Sequence, residues 1–371
     1  MKWVRQAERR RAHGQASAVE DPCESSARAR IRLARIRADM CAQGDLIFFD
    51  AVIRPDTKRA CASFRPRGSR RCHRSMMSEA KEIDPTLRRA WKWHNWRPAW
   101  VPLRVQGIVR RVALGTSPSS LIQAQLANGR FIYVDPTDFL QCHIGVRGEW
   151  EGDIYSAVRP LIQEGDCVLD LGAHVGYSSL LFAEWVGQKG SVFSFEPFVP
   201  HVERIKANLE LNGFGNIVTV VAAGVSDSDG SFDFYPPAQL NAGVGSFAAS
   251  GRRGKRVSVP TIELDRWLSA RSLENVAFCK MDVEGAEGPA LKGLRKTLDR
   301  QMIGSILLEL HPVQLFTLGF KVPQLLDALD RSGYELFFWN QAGRFTREPM
   351  LEGEGYVLAV TGEKARLIVC T

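Results

Sequence analysis

The sequence predicts a doubly wound α/β fold with a mostly parallel sheet. Three observations carry that expectation. From about residue 149 onward, short apolar runs alternate with segments of helical periodicity. Several of those runs end in an acid, at Asp170, Glu196 and Asp282. The first of them is followed by a glycine turn, Gly172 to Gly176, where such sheets place ligands.

The elements follow in order. Ile154, Ala157, Val158, Leu161 and Ile162 recur at helical spacing, and Gly165-Asp166 ends that helix. Residues 167–171 form the first strand. Tyr177, Leu180, Leu181, Glu184 and Trp185 trace the next helix, and residues 191–195 a second strand ending at Glu196. Val202, Ile205 and Leu209 mark another helix, and residues 217–222 a third strand. An insertion follows, with strands at 232–235 and 257–259 around a glycine-rich stretch, which predicts an extra hairpin with a mobile loop. Residues 276–281 read as the fourth core strand and 306–310 as the fifth, joined by a helix through Leu291, Leu294 and Leu298. A helix over 322–329 and a closing antiparallel pair, 334–339 with 356–360, complete the pattern.

The 371 residues are 45% hydrophobic and 24% charged, which excludes collagen-like, wholly disordered and small disulfide-framework classes. No apolar run approaches the roughly 18 residues that span a bilayer. The net charge of +8 is unevenly placed. Residues 1–75 hold 18 Lys+Arg against 8 Asp+Glu, whereas the remainder holds 31 against 33. A nucleic-acid reading of the basic balance therefore concerns the first segment only.

Residues 1–75 form a basic extension expected to lack order. Two further readings stay open: a translation start upstream of the true one, since Met76 and Met77 precede a better-patterned sequence, and an arm for nucleic acid or anionic membrane. Residues 76–147 form a Trp-rich and β-rich lead-in. Trp91, Trp93, Trp96 and Trp100 interleave with basic residues, a pattern that reads sugars, bases or membrane interfaces. The favoured reading lays these indoles over the domain's own apolar surface. Asn128-Gly129 between alternating runs predicts a hairpin. Residues 148–371 are the main domain. The eight cysteines form no CxxC pair, the first residues lack the apolar core of a secretory signal, and a cytoplasmic protein is expected.

The turn after the first strand reads Asp170-Leu171-Gly172-Ala173-His174-Val175-Gly176-Tyr177. It is not the GxGxxG of dinucleotide folds, and its leading acid would repel a pyrophosphate. An acid there suits a ligand with a cationic end, such as S-adenosylmethionine, which carries an ammonium and a sulfonium but no phosphate. Glu196, 26 residues on, can accept both ribose hydroxyls.

With Gly148-Glu149-Trp150-Glu151, Phe195-Glu196-Pro197, Asn208 with Asn212, and Lys280-Met281-Asp282-Val283-Glu284-Gly285-Ala286-Glu287, this chain resembles the FkbM-type methyltransferases over roughly 148–311. The resemblance implies a Rossmann-like class I S-adenosylmethionine-dependent fold and methylation of hydroxyl oxygens. It departs at His174, where the family usually has Asn. It implies that Asp170, Gly172, His174 and Gly176, with Tyr177 beside them, hold the methionine end and Glu196 the ribose. Adenine would lie near Ala223, by a backbone contact or with help from Asp227.

For the acceptor, an alcohol is a poor nucleophile, so a base or metal is useful. Asp282, Glu284 and Glu287 leave the fourth strand, and Glu309 and His311 the fifth. Period-2 spacing puts Asp282 and Glu284 on one side if the strand persists. Asp282, His311, Glu284 and Glu309 are the catalytic candidates; the bland alternative is that Glu284 and Glu287 begin a helix whose dipole favours acids. A metal on Asp282, Glu309 and His311 is weighed, and none is expected. The expected function is O-methylation of a hydroxyl on a sugar, glycan or secondary metabolite, with a small-molecule or glycan partner. The alternatives are an RNA-directed methyltransferase using the basic arm, and a non-catalytic nucleotide-binding module.

Overall fold

The computed structural model describes residues 83–96, 121–234, 256–348 and 355–369, all within one compact unit, Ile83–Thr371. The basic arm at 1–75, the expected β structure over 103–120, Trp100 and the glycine-rich stretch at 235–255 lie outside the described residues.

Helix α1 (Pro85–Trp96) precedes a two-stranded antiparallel hairpin, β1 (Ile122–Gln125) and β2 (Phe131–Val134), turning at Asn128-Gly129 as the sequence predicts. Helix α2 (Phe139–Arg147) starts at Asp138, whose side chain accepts the Gln141 N–H, and α3 (Gly152–Val158) follows. Leu87, Ile132, Val134, Cys142 and Ile144 bury into the same core as the main sheet.

Strand β3 (Cys167–Leu171) is buried on both faces, as a central parallel strand must be. The chain then winds outward through α4 (Tyr177–Val186), β4 (Ser191–Phe195), α5 (Val199–Asn212) and β5 (Val218–Val221). Next come β6 (Gly224–Ser226), β7 (Gly230–Phe234) and β8 (Val257–Glu263), which form a separate three-stranded sheet in the order β6-β8-β7. Its β7–β8 pair is the expected extra hairpin.

Helix α6 (Leu264–Ser269) returns the chain to β9 (Phe278–Met281), beside β3 on the side away from β4. The expected single helix at 291–298 is two, α7 (Glu287–Gly293) and α8 (Arg295–Asp299). A Cβ on Gly293 would lie 2.0 Å from the Ser226 carbonyl oxygen, so β6 presses on the helix there. The Asp265 carboxylate then accepts the Lys296 and Thr297 N–H groups and starts α8 anew.

Strand β10 (Ser305–Leu310), α9 (Pro312–Thr317), α10 (Val322–Arg331), β11 (Glu335–Trp339), β12 (Phe345–Thr346), β13 (Gly355–Val360) and α11 (Gly362–Val369) complete the chain. The main sheet runs β12-β11-β13-β10-β9-β3-β4-β5. The expected antiparallel pair is present, with β13 inserted between β10 and β11. Strand order reverses between β3 and β9, so a crevice opens at their carboxyl ends.

Candidate active site

That crevice is built first by close backbone approach. Gly172 has φ +83, and a Cβ there would lie 1.8 Å from the Asp282 carbonyl oxygen. The loops leaving β3 and β9 therefore touch, and only glycine permits it. Gly172, His174, Glu196, Ala223, Asp282 and Glu284 all line the resulting cleft, with Phe195, His201 and Phe234 among their neighbours.

Glu196 is 5% exposed and ties the loops together. Its Oε2 accepts the His174 N–H at 2.9 Å, and its Oε1 accepts the Phe198 N–H at 2.9 Å. His201 Nδ1 lies 3.5 Å from the same Oε1, and its ring stands edge-on to His174 with centroids 4.3 Å apart. His201 was not singled out in the sequence; its only signal is its place five residues after Glu196.

Four residues expected around the cofactor are not among those that line the cleft. Asp170 is fully buried, with Oδ2 accepting Ser178 Oγ–H at 2.8 Å and Ser179 Oγ–H at 2.6 Å. Burial pushes its carboxyl up, against the pull of Lys280 and the two serines. Gly176 begins α4 with φ +88 and packs on Ile205. The Tyr177 hydroxyl accepts the Trp150 N–H at 3.1 Å. Asp227 stands at the surface, 4.0 Å from Lys292.

Around Asp282, on the acidic side of the cleft, the four catalytic candidates do come together. The route differs from the expected one for Glu284. Strand β9 stops at Met281, so no period-2 strand carries Glu284; a left-handed turn, φ 51 at Glu284 and φ 101 at Gly285, swings it back toward Asp282. Glu287, the first residue of α7, is fully buried rather than solvated. Its Oε1 accepts the Gly285 N–H at 3.0 Å and His311 Nδ1–H at 2.9 Å. That fixes the ring, and His311 Nε2 then faces Glu284 at 3.7 Å, Glu309 at 3.8 Å and Asp282 at 4.0 Å.

Lys280, paired in register with Asp170 across β3 and β9, points its ammonium to Asp282, donating at 3.0 Å. Burial alone would lower the Lys280 ammonium, yet Asp282, Tyr155 and Asp170 hold it well above its ordinary value. Burial likewise opposes Asp282, but Lys280 and His311 keep its carboxyl below the usual range. Glu309 is pushed well up by burial and by its neighbours Asp282 and Glu151. His311 is held well above its ordinary value despite burial, first by Glu287 and then by the other carboxylates. Glu151, which starts α3 in a left-handed conformation, is pushed up to about 7, mainly by burial. The site thus holds neighbouring acids shifted in opposite directions, together with the buried ammonium of Lys280.

Lys280 and Glu151 both lie in the motifs quoted above, yet neither stands out as a site residue from sequence alone. Asn208 and Asn212 of those motifs do positional work. Asn208 Oδ1 accepts the Tyr133 N–H at 2.7 Å and its Nδ2 donates to the Val175 carbonyl at 2.8 Å; Asn212 pairs both backbone groups of Phe131. The hairpin is thereby pinned to α5 and to the glycine loop.

Residues 170–336 match the family model for the methyltransferase FkbM domain. The chain is 25% identical over 259 residues to the antimetabolite synthetase AmbE of Pseudomonas aeruginosa, covering 60% of this chain but 12% of that protein. It is 26% identical over 191 residues to the 2-O-methyltransferase NoeI of Sinorhizobium fredii, covering 47% of this chain and 76% of NoeI. It is 25% identical over 161 residues to the hexuronic acid methyltransferase AglP of Haloferax volcanii, covering 43% of this chain and 62% of AglP. No helix among the described residues is long and apolar enough to cross a membrane. Residues 170–336 thus match a methyltransferase FkbM domain, carried on the fold of the class I S-adenosylmethionine-dependent enzymes.

Proposed function

We propose that this chain transfers the methyl group of S-adenosylmethionine to a hydroxyl of a sugar, glycan or secondary metabolite. One observation carries the reading: a single cleft is lined both by Gly172, His174 and Glu196 and by the acids Asp282 and Glu284. The names of NoeI and AglP, a 2-O-methyltransferase and a hexuronic acid methyltransferase, support a sugar acceptor, and that of AmbE supports a secondary metabolite.

In this reading Gly172, His174 and Glu196 contact the cofactor, with the Ala223 backbone near the adenine. Asp170, Gly176 and Tyr177 act through the loop they brace, and Asp227, at the surface beside Lys292, is given no direct contact. The sulfonium points toward the carboxylates, where opposite charge favours it. Asp282, held ionised, accepts a hydrogen bond from the acceptor hydroxyl and aligns its oxygen with the methyl carbon. Asp282 takes the hydroxyl proton as the methyl group transfers, Glu309 beside it offers the onward route to water, and Glu284 and His311 hold the acidic side of the cleft in place. An RNA acceptor would rest on residues 1–75 alone, which lie outside the described residues.

Glu196→Gln tests the cofactor half. The amide loses acceptor capacity for the ribose and turns a donor toward N–H groups, so S-adenosylmethionine affinity should fall at least about tenfold, one to two hydrogen bonds' worth. Calorimetry on wild type and variant reads it, and equal affinities would remove Glu196 from the cofactor site. Methyl transfer from labelled S-adenosylmethionine to uronic acids and glycans tests the acceptor class.

A further inference from the structure

We propose that Asp282, Glu284 and His311 together hold one divalent cation, which binds and orients the acceptor hydroxyl. The inference rests on the methyl-transfer reading for its purpose, but not for its geometry. One donor atom from each of the three residues lies within 4.8 Å of the others. These three are not the trio weighed from sequence, because the turn at Gly285 brings Glu284 into the set beside Glu309.

The imidazole makes this more than a group of acids. His311 is 8% exposed, and its Nδ1 is committed to Glu287. Its Nε2 points into the carboxylates and makes no hydrogen bond among the described residues; its distances there, 3.7, 3.8 and 4.0 Å, exceed hydrogen-bond length. They suit donors shared by one cation, since two ligands each about 2.1 Å from a metal stand up to about 4.2 Å apart. A buried carboxylate on the far ring nitrogen is also how proteins fix a metal-binding imidazole. Glu287 does this while its other oxygen, Oε2, is buried and makes no hydrogen bond among the described residues.

One imidazole with two carboxylates favours manganese or a similar first-row cation over calcium. Asp282 and Glu284 also line the cleft, so a bound hydroxyl would sit between cation and cofactor. The acceptor O–H proton passes to a neighbouring carboxylate and then to water. The oxygen's electron pair forms the new O–C bond as the C–S bond breaks, giving the methyl ether and S-adenosylhomocysteine. The cation is unchanged.

The test uses the full chain after chelation, titrated with Mn²⁺ and followed by electron paramagnetic resonance of the free ion. One Mn²⁺ should bind per chain, and His311→Ala and the isosteric Glu284→Gln should each weaken it at least tenfold. Glu287→Gln should weaken it less, through the ring it positions. Calorimetry with S-adenosylhomocysteine on the same samples shows whether the His311→Ala cleft remains folded. Absence of saturable Mn²⁺ binding, or equal affinity in wild type and both ligand variants, overturns the site. Site-specific Mn²⁺ binding in a chain that does not bind S-adenosylhomocysteine would uphold the metal site and sink the methyl-transfer reading instead.

Discussion

His311 and His143 both take ring nitrogens out of water, and the surroundings drive them in opposite directions. His311 lies among Glu287, Glu284, Glu309 and Asp282, which hold its proton on. His143 lies among aromatic edges, with Trp91 and Trp150 at 5.1 Å and Phe139 at 6.3 Å. Burial, with Arg147 adding repulsion, lowers it to about 4. Depth alone therefore says little about a histidine's role. An aromatic box tolerates a neutral ring and closes a surface. A ring packed against carboxylates gathers like charges that cost stability, and such arrangements concentrate where chemistry needs them.

The largest effect on the His311 cluster is expected at Gly172. Gly172→Ala sets a methyl 1.8 Å from the Asp282 carbonyl at φ +83, so the β9 loop that shapes the His311 cluster must move. Strain and overpacking together should cost about 3–5 kcal/mol. Urea unfolding should show that loss, and S-adenosylhomocysteine binding should fall with it. Unchanged stability would mean that the two loops do not meet. Next in size is Asp282→Asn, which leaves the buried Lys280 ammonium without its charge partner. Because Asp282 is a quarter exposed, the lower range for a broken buried pair applies, about 2–3 kcal/mol. Turnover should drop at least about a hundredfold, as expected for a lost acid–base group. The His143 pKa, read by NMR, should stay near 4 in this variant, since burial and Arg147 set it and Asp282 does not.

Much of the fold was legible because its signals are local. Strands β3, β4, β9 and β10 are apolar runs bounded by turns, and the Asn128-Gly129 hairpin announces itself in two residues. The break at Leu294 was not legible, since its cause is the Ser226 carbonyl nearly 70 residues away. The site shows the same division. Asp282, Glu309 and His311 could be placed at strand ends by counting strands. Glu284 was put near them for the wrong reason, because a run of residues does not reveal where a strand stops. Glu287 reads in sequence as an ordinary first-turn acid, and only the partner at His311 distinguishes it. Asp170 belongs to the most conspicuous motif, yet its side chain turns inward to Ser178 and Ser179. Direction of a side chain is a property of the packed loop rather than of the motif.

The smallest effect separates the two histidines by pH. For His143 the unfolded ring titrates near 6.5 and the folded ring near 4, so between those values the unfolded chain binds more protons. Stability is lost as pH falls through that window. The full shift would be worth about 3 kcal/mol, and solvent screening of this half-buried ring reduces it to about 1–2 kcal/mol. His311 behaves oppositely: its contribution is complete below 6.5 and is lost only as pH rises through its raised folded value. Glu151, raised to about 7, also titrates between its ordinary value and neutrality, so absolute slopes mix several groups. The difference between wild type and His143→Phe isolates the one ring. Urea unfolding at pH 4.5 and 7 should show wild type losing about 1–2 kcal/mol more than the variant on acidification. Parallel losses would mean that the imidazole is protonated inside its aromatic box, and the contrast with His311 would collapse.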